Sequence, residues 1–252
     1  MIHAKKAEDI LEYLFLFAGD AFEGLITTMS LEANGEDETE ALAVETVSRR
    51  PQQGRSKASL ERMLSAAREL MLERGNEDFT LQDVNLRGSV SIGSIYLRFQ
   101  SKENLVRAVI AKALEDLAQA EEGMIAEVLA QSPTLDEFMP LYVAGYAEVL
   151  RVNAPLLRLA MERAEFDPLV SKPGKDHALR ATERGMNAML RFSDTFGGTD
   201  HETRANSAYK IVFATLARQL SLGSSGEAAH DYDWEVLKRE LGRMCLAYLR
   251  AP

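Results

Sequence analysis

The sequence predicts an all-α fold. Stretches of helix length with apolar residues three and four apart recur from about residue 55 to the end. No alternation of apolar and polar residues is long enough to require a strand. Seven prolines and sixteen glycines in 252 residues leave room for long helices. That length is enough for one large domain or two small ones with a buried core.

Charge divides the chain into three blocks. Residues 1–48 form an acidic N-terminal extension, with Lys5 and Lys6 against eleven Asp and Glu, a net charge of −9. Within it, residues 4–29 can form a helix whose broad apolar face includes Ile10, Leu11, Leu14, Phe15, Phe17 and Phe22. Glu12, Asp20 and Glu23 interrupt that face, which argues against a membrane span or a signal peptide. Residues 31–45 read as an acidic linker or weak helix. The extension has three readings: an unneeded upstream segment, a helix packed on the body, or an arm that competes for the basic block.

Residues 49–115 hold twelve Lys and Arg against eight Asp and Glu, or +4, inside a chain of net charge −10. A locally basic block in an acidic protein fits a small nucleic-acid-binding module joined to a larger body. Residues 116–252 are that body. There the sequence predicts helices over Leu135–Arg151, Ala154–Ala164, Asp176–Phe196, Glu202–Leu222 and Asp233–Leu249. Breaks are expected at Phe166–Pro168 and Ser171–Gly174. Cys245 is the only cysteine, so no disulfide forms within the chain, and a reducing cytoplasm is the simplest compartment.

The basic block carries the chemistry. Ser59–Arg74 places Leu60, Met63, Leu64, Ala67, Leu70 and Met71 on one helical face, and Gly75 supplies a stop. Thr80 can cap a second helix, answered by Asp83 as in a capping box. That helix reaches to about Arg87. Ser91 can cap a third, running to about Phe99, and Ser101 a fourth. Two short helices joined by a tight turn form a helix-turn-helix, whose second member can enter a DNA major groove if its leading face is small and polar. Ser91, Gly93 and Ser94 meet that need, with Val84, Val90 and Ile95 as the small core behind. Tyr96 can give a hydroxyl to a phosphate, and Lys102 can neutralise another at a helix N-terminus. Thr80, Arg98 and Arg55 complete the candidate DNA-contacting set, and Arg49, Arg50 and Lys57 could extend it as an arm.

The ordered series Thr80, Leu81, Asp83, Val84, Val90, Ser91, Gly93, Ser94, Ile95, Tyr96, Phe99, Ser101, Lys102, Glu103 and Leu105 resembles the DNA-binding region of the TetR family of bacterial regulators. The likeness extends upstream through Leu64–Leu70 and Gly75 and covers about 50 residues. The sequence departs from the family pattern at four places. Asn85 stands where a small alanine is usual. Gly88 and Ser89 displace the turn glycine by one, putting a non-glycine residue in a left-handed position at a cost of about 1 kcal/mol. Ile92 replaces a polar or basic residue and could touch a thymine methyl. Leu97 and Arg98 replace an aromatic or histidine pair.

The resemblance implies a homodimeric, ligand-responsive repressor that binds a pseudo-palindromic double-stranded operator and takes up a small apolar or amphipathic ligand in its helical body. It also implies that Glu202–Leu222 and Asp233–Leu249 form the dimer seam. On them Ala208, Ile211, Val212, Ala214, Thr215 and Ala217, with Val236, Leu237, Leu241, Met244 and Leu249, give an apolar face. Met139, Tyr142, Tyr146, Leu156, Met161, Met186, Met189 and Phe213 could line the ligand pocket or be ordinary core. His3, His177, His201 and His230 lack ligand spacing, so no metal or other cofactor is expected. No nucleophile elbow or phosphate loop suggests an enzyme. The competing reading is a helical protein-interaction module that has lost operator recognition.

Overall fold

A computed structural model describes residues 54–223 and 232–252. The expectations for residues 1–48, and for Arg49 and Arg50, lie outside the described residues. Every regular element among the described residues is helical. They are α1 (Gly54–Arg74), α2 (Leu81–Gly88), α3 (Ile92–Phe99), α4 (Lys102–Gln131), α5 (Leu135–Ala164), α6 (Pro168–Leu190), α7 (His201–Gln219) and α8 (Trp234–Arg250), with a short 3₁₀ turn at Ser193–Thr195. From α2 onward each helix begins on a hydroxyl or carboxylate cap: Thr80, Ser91, Ser101, Thr134, Asp167, Asp200 and Asp233. Each cap takes up one of the backbone N–H groups that a helix start leaves unbonded.

Two expectations for the body change. Leu135–Ala164 is one helix, not two, and carries Pro140 and Pro155 inside it. An interior proline costs a helix about 3 kcal/mol, but Leu150, Ala154, Leu156 and Leu159 are buried on either side of Pro155, and that packing outweighs the lost bond. Likewise, the break expected at Ser171–Gly174 lies within α6. The helix starts earlier because Asp167 caps it and Pro168 opens it, a position where the missing N–H costs nothing. It ends at Leu190, short of Phe196.

The helices bury two main cores. The first gathers Met63, Ala67 and Met71 of α1 with Phe79, Val84, Ile95, Phe99, Leu105 and Val109, and continues into Leu156, Leu159, Ala160 and Val170 of the body. The second gathers Phe138, Met139, Tyr142 and Tyr146 of α5, Met189 of α6, Tyr209 and Val212 of α7, and Leu241, Cys245 and Leu249 of α8. Helix α4 runs through both halves without interruption. Inside the second core the rings of Phe192, Phe138, Tyr142, Tyr146, Tyr209 and Phe213 follow one another at 5.0 to 6.4 Å between centres. Gly185 makes this possible: a Cβ there would stand 2.5 Å from both Tyr142 Oη and Tyr209 Cδ2. Outside the core, Glu148 of α5 accepts hydrogen bonds from Trp234 Nε1 at 2.7 Å and Lys238 Nζ at 2.8 Å, clasping α8 to α5. Among the described residues no helix is long and apolar enough to cross a membrane.

Candidate nucleic-acid interface

The head of the molecule is built on α1. Gly88, the last residue of α2, lies against it so closely that a Cβ would stand 3.0 Å from Arg62 O and 3.2 Å from Ala66 Cβ. Glycine is needed at this crossing, so the left-handed turn residue falls on the next position, Ser89, at φ 49° and ψ 47°. Asn85 braces the turn: its carbonyl accepts from Val90 N at 3.3 Å, and its side-chain amide donates to Val90 O. The two departures from the family pattern at Asn85 and Gly88–Ser89 are therefore one adjustment. Ser89→Gly should raise stability by about 0.5–1 kcal/mol by removing the left-handed strain. A urea midpoint left unchanged would mean that Ser89 makes a contact that offsets the strain.

Helix α3 then presents two faces. Ile95 and Phe99 point into the core with no exposed surface. On the opposite side Tyr96 is 54 % exposed and Leu97 55 %. Gly93 has nothing within 4 Å of where a Cβ would be, so a partner could approach the backbone there. Ser91 Oγ accepts from Ser94 N at 3.1 Å and lies 2.7 Å from Ser94 Oγ, fixing both hydroxyls at the leading end of the helix. Ile92 is partly buried at the edge of the head core. Thr80 is exposed and sits in the reciprocal cap that opens α2, with Asp83 N donating to Thr80 Oγ1 at 3.1 Å and Thr80 N to Asp83 Oδ2 at 2.9 Å.

Residues 63–109 match the family model for bacterial regulatory proteins of the tetR family. Over those residues the chain resembles the tetR family. Its fold is similar to that of a Mesorhizobium loti protein classed as a tetR-family transcriptional regulator, with a TM-score of 0.60 at 15% identity over 78% of this chain and 96% of that one. It is similar to the fatty acid degradation regulator FadR from Bacillus halodurans, with a TM-score of 0.57 at 13% identity over 81% of this chain and 100% of that one. It is also similar to the tetR-family regulator PfmR from Thermus thermophilus, with a TM-score of 0.50 at 16% identity over 73% and 96% of the two chains. At these identities the likeness shows a shared fold. A comparison with curated sequences gives no match.

The cations of the tetR-type head are mostly engaged within the protein. Arg98, placed among the DNA contacts from sequence, turns away from the outer face. It is 8 % exposed, and its Nη2 donates to Ser56 O at 2.9 Å and Ser56 Oγ at 2.5 Å, tying α3 to the start of α1. Lys102 donates to Glu77 O at 2.7 Å and lies 5.3 Å from the centre of the Phe79 ring. Arg87 makes two bonds to Glu73, at 2.7 and 2.8 Å, which hold the Glu73 carboxyl below its ordinary range. Arg55 lies in the first turn of α1.

A polar junction that sequence reasoning missed joins the tetR-type head to the body. Asp167 Oδ2 accepts from Arg107 Nε of α4 at 2.7 Å and from Arg163 Nε of α5 at 2.8 Å. Arg163 Nη1 reaches Glu77 of the head at 2.7 Å. Arg107 Nη1 donates to Asn104 Oδ1 at 3.0 Å, and Asn104 Nδ2 to Phe99 O, at the end of α3, also at 3.0 Å. Burial alone would raise the Asp167 pKa, but the bonds from both arginines keep it below the usual carboxylate range. Arg107, Arg163 and Asp167 are spread over 60 residues, and only Asp167 carried a visible signal, as a cap before a proline.

The body holds a second buried polar group. Glu121 of α4 accepts from Arg184 Nη2 of α6 at 2.5 Å, and its other oxygen is 3.8 Å from His177 Nε2. Burial raises the Glu121 pKa. Burial, with Arg184 and Arg180 nearby, lowers that of His177 to about 4. The pocket candidates divide. Met139, Tyr142, Tyr146 and Met189 are buried in the second core, with Met186 and Phe213 packed against it, and Tyr146 and Tyr209 hydroxyls are 2.8 Å apart. Leu156 belongs to the head core and lines a cavity of about 10 Å³, room for one water. Met161 packs beside Ala154, Ala217 and Leu222. Of the seam candidates, Ala208, Val212, Ala217, Leu241 and Leu249 are buried within the chain, while Ile211 and Met244 are exposed.

Proposed function

We propose that this chain is a ligand-responsive transcriptional repressor, acting as a cytoplasmic homodimer on a pseudo-palindromic double-stranded operator. The outward face of α3 carries the reading: fixed hydroxyls at its leading end, an open Gly93 and an exposed Tyr96. Two copies of α3 would lie in successive major grooves. Ser91, Ile92, Gly93, Ser94 and Tyr96 approach the DNA, with Thr80, Lys102 and Arg55 toward the phosphates. Arg98 acts from behind, holding α1 against α3. The exposed Ile211 of α7 and Met244 and Tyr248 of α8 supply the apolar seam for a second copy. A small apolar or amphipathic ligand enters among Met139, Tyr142, Tyr146, Met186, Met189 and Phe213; Leu156 and Met161 lie in other clusters. Coupling between the ligand and operator sites is typically 1–3 kcal/mol. No catalytic step belongs to this reading.

The test is a titration of the purified protein against the DNA upstream of its own gene and a scrambled duplex, at two salt concentrations. Tight binding to the first alone, weakening with salt, is the expected result. One observation favours a protein-interaction module instead: Arg74, Arg87, Arg98 and Lys102 are all bonded within the head. Weak binding equal for both duplexes would establish that second reading.

A further inference from the structure

We infer that the groove-facing stripe of α3 selects its operator through thymine methyl groups and not through guanine. This inference rests on the DNA-binding reading above and adds what the helix reads. In the major groove guanine offers two acceptors, O6 and N7, best met by arginine or lysine, whereas thymine offers the only apolar group, its 5-methyl. The stripe opposite the buried Ile95 and Phe99 consists of Gly93, Tyr96, Leu97 and Gln100, with Ile92 at its edge.

No cation of α3 reaches that face. Arg98 is the only one in the helix, and Ser56 holds it inward at 2.9 and 2.5 Å. The nearest cations in sequence, Arg87 and Lys102, are bonded to Glu73 and to Glu77 O. What faces outward is a leucine more than half exposed, beside an equally exposed tyrosine. Such a pair in water is unfavourable until something apolar covers it. Gly93 adds clearance, so a methyl on a base edge can come against the helix backbone. Leu97 and Ile92 are thus the specificity-determining side chains, and Tyr96 fixes the register.

The experiment uses the full-length protein. A random duplex pool is selected on it, and the enriched site is titrated with each thymine in turn replaced by uracil, which removes only the 5-methyl. Wild type, Leu97→Ala and Ile92→Ala are compared, and circular dichroism verifies that both variants fold. The expected result is thymine at fixed half-site positions and a loss of roughly fourfold in affinity for each contacted methyl. At least one of these losses should vanish in Leu97→Ala. An enriched site insensitive to every uracil, but weakened when 7-deazaguanine replaces guanine, overturns this inference and leaves the DNA-binding reading standing. If no site is enriched, the DNA-binding reading itself fails, and the exposed stripe is a protein-docking face.

Discussion

Asp167→Ala should lower the stability of the protein by about 3–5 kcal/mol, the cost of breaking a buried ion pair by removing one partner. Asp167 is 4 % exposed and satisfies two guanidinium groups at once while its other oxygen caps α6 through Leu169 N at 3.2 Å. Without it Arg163, 8 % exposed, keeps Glu77 as its salt-bridge partner among the described residues. The cap is lost as well, worth about 1 kcal/mol by itself. Asp167→Asn keeps the cap geometry and one acceptor, so it should cost less than the alanine. Urea denaturation of both variants measures the difference. An alanine variant within 1 kcal/mol of wild type would mean that water replaces the carboxylate. The same junction runs through Arg107 and Asn104 to the end of α3, so a variant that still folds should hold its recognition helix less firmly against the body.

Acid should weaken the fold through His177. Its folded pKa, about 4, lies below the ordinary value of 6.5 because the ring is buried beside Arg184 and Arg180. As pH falls below 6.5 the unfolded chain takes up the proton first. The unfolded state then binds more protons than the folded one, and stability falls with pH until about 4 is reached. A depression of this size corresponds to about 3 kcal/mol. Glu121 opposes it, since its raised pKa lets the folded state take up a proton more readily. The clean readout is therefore the difference between wild type and His177→Gln in denaturation midpoints at pH 7.5 and pH 5. Wild type should lose more on acidification. Parallel losses would assign the effect to other groups.

The helix-turn-helix was legible because its signals are local. Thr80, Ser91 and Ser101 cap helices that begin one residue later, and Gly75 adopts the left-handed conformation (φ 66°) its place after α1 suggested. The body boundaries were less so. Pro155 and Pro173 are breakers by local propensity, but the helices that contain them are held by packing from distant parts of the chain. The direction of Arg98 could not be read for a related reason: its partner Ser56 is 42 residues away. Leu97 needed the fold as well, because only the burial of Ile95 and Phe99 shows which side of α3 faces out. The division of the pocket candidates, with Leu156 in one core and Tyr142 in another, depends on how α5 passes from the body to the head.

Trp234 is the only tryptophan in the chain, and its indole N–H is bonded to Glu148 across the clasp between α8 and α5. The tryptophan emission of the protein therefore comes from a single known place in the body, with 6.0 Å between the ring centre and the Lys238 ammonium, and the head contributes no tryptophan. A change in that emission on adding DNA would report a rearrangement transmitted from α3 to the far helices, with no label attached. A change on adding a small molecule would report events beside the aromatic core. The protein thus carries an optical reporter at the end of the molecule where the ligand and the second copy are proposed to bind.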